Sequence, residues 1–216
     1  MSVFFRNVEH QLCIVLDKQL PKLLYTDADE DANALLCYGY VDKSSGLTYE
    51  ILCIASYING DYTIVNENKK VSAKVRAEKF QESEIIPINN AAIMKRFENR
   101  IKFINEAYYD NSQVESIRKI SSLDKFRHPF YPDDVHGLLL VEGLKPETVW
   151  VRLSEAVPAL GNEDRFFTGT LLNTPFEPRY NLSEGDDVYL IVSENNDICF
   201  VATKPRNTFE GGKNYE

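Results

Sequence analysis

A helical stripe divides this chain between two stretches patterned like strands. Ile93, Phe97, Ile101, Ile104 and Tyr108 are spaced 4, 4, 3 and 4 residues apart, which sets them along one face of an α-helix. Glu98 and Lys102 add a favourable i,i+4 pair, and Asn89 and Asn90 after Pro87 supply N-cap candidates. Asp110-Asn111 interrupts the pattern. Ser112-Gln113-Val114-Glu115 then reads as a capping box opening a second, shorter helix with Val114, Ile117 and Ile120 inward.

Ahead of the stripe the chain reads as an antiparallel meander. Ala34 to Val41 and Leu47 to Ile58 are apolar runs of strand length, joined by the turn Asp42-Lys43-Ser44-Ser45-Gly46. Asn59-Gly60 is a strong hairpin signal, because both residues tolerate positive φ in a type I′ turn. The hairpin continues through Tyr62 to Val65. Val71, Ala73 and Val75 then alternate with polar residues as in a half-exposed strand. Val8 to Leu24 fits either a helical stripe or a buried strand at Cys13-Ile14-Val15-Leu16, and Pro21 breaks both. Behind the stripe, Gly137 to Glu142, Val149 to Leu153, Phe166 to Leu172, Val188 to Val192 and Ile198 to Ala202 read as short strands separated by turn residues, the spacing of a small barrel or a bent sheet. The expected fold is α+β, with an N-terminal antiparallel sheet, two bridging helices and a C-terminal barrel-like module. The expected division is 1–111, 112–204 and a mobile polar tail at 205–216, with one continuous α+β domain as the alternative.

Charge narrows the partners. With 24 basic and 33 acidic side chains the net charge is −9, and basic residues occur only in short pieces such as Lys69-Lys70 and Lys95-Arg96. Nucleic acid and anionic membrane surfaces both call for a basic face, so neither is expected. No run of 18 apolar residues predicts a transmembrane helix, and the N-terminus lacks the pattern of a signal peptide. A cytosolic chain is expected. Cys13, Cys37, Cys53 and Cys199 form no Cys-x-x-Cys pair, and three lie among apolar residues, so they read as buried thiols rather than metal ligands or a disulfide framework.

Candidate sites are few. His128, Asp133, Asp134 and His136 crowd imidazole and carboxylate into nine residues, the chemistry of a metal-dependent hydrolase. No helical His spacing fixes their geometry, however. Pro129, Phe130, Tyr131 and Pro132 make the segment look like a rigid connector, in which Arg127 pairs with Asp133 or Asp134. Asp27-Ala28-Asp29-Glu30-Asp31 begins like a calcium loop but has Ala32 where glycine and Tyr38 where glutamate is needed, so it reads as a solvated loop. In Val149-Trp150-Val151-Arg152-Leu153 the alternation sets Trp150 and Arg152 on the face opposite the valines. They form either a binding surface or a covered outer layer. Gly169 suggests a bulge or a close backbone approach. There is no phosphate loop, Gly-x-Ser-x-Gly elbow or His-Glu-x-x-His, and no motif asks for a cofactor or identifies a catalytic nucleophile.

Five pieces occur in order in the last third: Leu123 to Arg127, Pro132-Asp133-Asp134, Pro146-Glu147-Thr148-Val149-Trp150-Val151, Gly169 to Pro175, and Gly185-Asp186. Together they resemble an uncharacterised bacterial family of unknown function. In that family the position of Thr174 is often glutamate. The resemblance implies a bacterial, cytosolic, β-rich module. It also suggests an immunity-type role beside a secreted toxin, and it implies no reaction. The resulting expectation is a non-catalytic protein-binding module whose acidic surface suits a basic protein partner, with the metal-dependent hydrolase as the alternative.

Overall fold

The computed structural model describes residues 4–19, 21–22, 32–67, 73–80, 84–108, 112–157, 164–193 and 198–203. The acidic run at 27–31 and the tail at 205–216 lie outside them. The fold is α+β and mostly sheet. It divides into two compact units, 1–111 with 127–133, and 112–126 with 134–216.

The first unit is built on a six-stranded antiparallel sheet. Its strands are β1 (Leu12–Leu16), β2 (Ala34–Asp42), β3 (Gly46–Ile58), β4 (Asp61–Glu67), β5 (Ala73–Arg76) and β6 (Glu84–Ile88). The order is β4-β3-β2-β1-β6, and β5 also pairs with the long β3. Asn59 and Gly60 both adopt positive φ (53° and 92°) in the β3–β4 hairpin, as their chemistry predicts. Of the two readings open for the segment before Pro21, the buried strand is the one formed. Every residue of β2 is buried, because the sheet has a core on each face. Phe5, Val8, Phe80 and Tyr49 belong to one core, and Leu12, Ile14, Tyr38 and Leu52 to the other.

Helices α1 (Ala91–Arg96) and α2 (Glu98–Tyr108) contribute Ile93, Ile101 and Ile104 to the second core. Burying such a side chain stabilises by about 1.5–3 kcal/mol. Asn90 is the N-cap, its side chain accepting from the amides of Ala92 and Ile93 at 3.1 Å each. The sequence predicts one helix across this stripe, but the chain turns at Phe97 (φ −104°). The break is slight: the Phe97 amide still bonds Ile93 O and its carbonyl accepts from Ile101. Strand β6, which contains Pro87, is not among the strands expected from the sequence. It forms at the sheet edge, where a residue without an N–H is tolerated.

Asp42 closes β2 and is largely buried. Burial opposes its carboxylate, but the Ser44 hydroxyl and amide (2.7 and 2.9 Å) and Arg76 (3.3 Å) outweigh it and hold it below the usual carboxylate range. A group with a depressed folded pKa stabilises above its unfolded value, and that stability is lost as pH falls through the folded one. Asp42→Asn is therefore expected to flatten the acid limb of the stability profile below about pH 4 while altering the neutral region less in slope, measured by urea unfolding across pH.

The second unit is a closed barrel. Its strands are β7 (Asp134–Leu139), β8 (Glu147–Val157), β9 (Asp164–Leu171), β10 (Asp187–Ser193) and β11 (Ile198–Thr203), in the order β10-β11-β7-β8-β9. All pairs are antiparallel except β11 with β7, which closes the barrel. Val135, Val149, Val151, Phe167, Leu171 and Leu190 fill it, joined by Ile117 of helix α3 (Ser112–Arg118) and by Leu123 and Phe126. Gly169 lies opposite a bulge at Leu153/Glu155, and a Cβ there would meet Arg152 O at 2.5 Å, so the close approach is real. One boundary is corrected: β7 begins three residues before the predicted strand and ends at Leu139. The apolar run continues past it, but Leu140 and Val141 stand 58% and 50% exposed in the following loop.

All four cysteines are free and buried, and Cys13 lies directly opposite Cys37 in the sheet. Burial raises each thiol, to about 12 for Cys53 and Cys199. The native chain is expected to resist iodoacetamide at pH 8 and to titrate four thiols only after unfolding in guanidinium. Rapid native labelling would show that the sheet opens locally.

Candidate functional site

The inward valines of β8 turn Trp150 and Arg152 to the outer face of the barrel. There Trp150 is half-buried, and its ring meets that of His136 edge to face at 5.4 Å; His136 is its cross-strand partner on β7. On its other side His136 meets Phe126 at 5.6 Å. Arg152 forms a two-pronged ion pair with Asp134, Nε to Oδ1 at 2.7 Å and Nη2 to Oδ2 at 2.9 Å. Both carboxylate oxygens of Asp134 are therefore engaged by the guanidinium. Arg152 lies directly across from Asp134 in the β7–β8 register. The Arg127 guanidinium donates to Pro132 O and lies over Phe5.

The His128–His136 cluster is divided by the fold. His128 and Asp133 belong to the first unit, and Asp134 and His136 begin β7 of the barrel. His128 accepts the Phe130 amide at Nδ1 (3.2 Å) and packs edge-on against Tyr131 at 5.1 Å, while Asp133 is buried. The connector character expected of this segment is what these contacts describe. Of these residues, His128 holds a backbone amide, His136 packs against aromatic rings and Asp134 pairs with an arginine.

Three of the ordered pieces of the last third, Pro146 to Val151, Gly169 to Pro175 and Gly185-Asp186, border the end of the barrel where β7 passes to β8 and β9 to β10. Glu147, at the start of β8, reaches across to the second loop. Its two oxygens accept the amides of Phe176 and Glu177, each at 2.7 Å. Asn173 accepts the Trp150 amide at 2.8 Å, and Trp150 O accepts the Leu172 amide at 2.8 Å. Tyr180 is buried and shares its hydroxyl between Leu139 O (3.1 Å) and Lys145 O (2.9 Å), tying the second loop to the first. Thr174 accepts from the Glu184 amide, and Asp186 from the Ser183 amide. Gly185 turns at φ 92°. Peptide groups that a loop would leave to water are thus held by side chains, most strongly where the acceptor is an ionised carboxylate.

Phe176 stands at the tip of this braced loop, 95% exposed. Leu140 and Val141 lie in the companion loop. Glu177 and Arg179 form a two-pronged surface pair at 2.8 Å, and the guanidinium holds the Glu177 carboxyl down at about 2. Sequence reasoning did not single out Phe176, Leu140 or Val141. The available signals were an apolar run too long for its strand and an aromatic residue placed between Pro175 and Pro178. No protein-family model, curated protein or solved structure matches this chain.

Proposed function

We propose that this chain is a non-catalytic protein-binding module that meets its partner through the barrel. The observation that supports this reading is the construction of the braced loop. Glu147 fixes its backbone at the amides of Phe176 and Glu177, and the ring of Phe176 projects to solvent. An immobilised aromatic gives up little conformational freedom on binding, which is why such residues recur as binding hot spots. Trp150 and Arg152 are a secondary part of the surface, held by His136 and Asp134. The resemblance in the last third adds that the setting is a bacterial cytosol and the role immunity-type. Among the described residues no helix is long and apolar enough to cross a membrane. The hydrolase alternative would require Asp134 to exchange the Arg152 guanidinium for a metal.

The test places a photo-crosslinking amino acid at position 176, with position 58 on the β3–β4 hairpin, also exposed, as the control. Light is expected to join a protein partner at 176 and not at 58. The isolated partner should then bind Phe176→Ala more weakly by about 2 kcal/mol or more, with smaller losses for Trp150→Ala and Arg152→Ala. Equal crosslinking at both positions, or wild-type affinity in all three variants, would remove the barrel from the case.

A further inference from the structure

The two loops that carry the exposed apolar side chains also concentrate negative charge. Residues 140–147 and 172–187 hold six carboxylates against Lys145 and Arg179, a net charge of −4 in a small fraction of a chain whose total is −9. Three of the six have structural tasks: Glu147 holds two amides, Glu177 pairs with Arg179, and Asp186 holds the Ser183 amide. Glu142 and Glu184 are exposed along the same loops. A projecting phenyl ring is thus set within a field of one sign.

We infer that this end of the barrel docks a cationic protein surface with an apolar recess for Phe176. The inference rests on the protein-binding reading above and adds the partner's chemistry. A second copy of the chain would bring two surfaces of net charge −4 together, which like-charge repulsion disfavours. Nucleic acid and anionic membranes carry the same sign as the loops and are repelled as well. A cationic protein gains at both stages of binding. The carboxylates steer its approach, and the ring, once seated, slows its escape.

Selection from a library of displayed random short peptides tests this without knowing the natural partner. Three forms of the full chain serve as bait: wild type, Phe176→Ala, and the double reversal Glu142→Lys/Glu184→Lys, whose substitutions touch none of the bracing side chains. The wild type is expected to enrich peptides combining Lys or Arg with aliphatic or aromatic residues. Purified, those peptides should bind the double reversal at least about tenfold more weakly and lose affinity as salt rises, as screened charge attraction does. They should also bind Phe176→Ala at least about tenfold more weakly, with the salt dependence retained. Enrichment of neutral or acidic peptides that still need Phe176 would overturn the cationic partner and leave the protein-binding reading standing. Peptides indifferent to Phe176, or no enrichment on any bait, would overturn both.

Discussion

Glu147→Ala is expected to weaken partner binding nearly as much as Phe176→Ala, although its carboxylate faces the protein's own backbone. That carboxylate fixes two consecutive amides, those of Phe176 and Glu177, at 2.7 Å each. Hydrogen bonds to a charged group contribute about 1.5–3 kcal/mol apiece, and a surface loop regains part of that from water when it relaxes. A stability loss of about 2 kcal/mol is therefore expected in urea unfolding. Affinity should fall by about tenfold or more because the ring must be re-ordered on each encounter. Glu147→Gln is no rescue: its amide keeps one acceptor and turns an N–H₂ donor toward a second N–H. Phe176→Ala separates the two effects. Its ring is 95% exposed, so stability should stay within about 0.5 kcal/mol of wild type while binding is lost. If Glu147→Ala lost stability and kept full affinity, the bracing of the loop would have no part in recognition.

The same residues show what the sequence could reveal and what it could not. Local signals were legible. Asn59-Gly60 specifies its turn by the φ values that two residues tolerate, and the stripe from Ile93 to Tyr108 marks helical backbone by spacing alone, though not its division at Phe97. The barrel strands were legible too, since inward Val149, Val151 and Leu153 alternate with outward Trp150 and Arg152. Two features escaped the local signals. Pro87 argues against a strand unless the strand is an edge, and edges are a property of the assembled sheet. The run from Gly137 to Val141 is apolar throughout, and nothing local marks Leu139 as its last paired residue. The site was the least legible part, because its defining bonds are long-range. Glu147 and the amides it holds are 29 and 30 residues apart, and Asn173 is 23 from Trp150. A motif such as Pro-Glu-x-x-Trp followed by Asn-x-Pro could be seen, but its meaning lies in contacts between the pieces.

Arg100→Met is expected to destabilise the first unit strongly. Glu50 sits in β3 with its side chain 2% exposed, between Tyr38 on β2 and Lys74 on β5 in register. Arg100 of α2 reaches it with Nε at 3.1 Å and Nη2 at 2.6 Å, and is itself 23% exposed. A buried ion pair contributes little net stability, because desolvating both charges offsets their attraction. Removing one partner is different: it takes from the buried Glu50 carboxylate the guanidinium that bonds it at 2.6 Å, and breaking a buried pair in this way costs about 3–5 kcal/mol. The pair also fixes where α2 lies on the sheet, together with the Tyr38 hydroxyl donating to Asn105 at 2.9 Å and the packing of Ile101 and Ile104. Arg100→Met alone should therefore lower the urea midpoint sharply. The double change Glu50→Leu/Arg100→Met, which removes both charges and keeps the volume filled, should recover most of the loss. Recovery is the decisive measurement. A double variant as unstable as the single one would mean that α2 is held by the geometry of the pair and that apolar packing cannot replace it. A single variant within about 1 kcal/mol of wild type would mean that the Glu50 carboxylate is satisfied without Arg100.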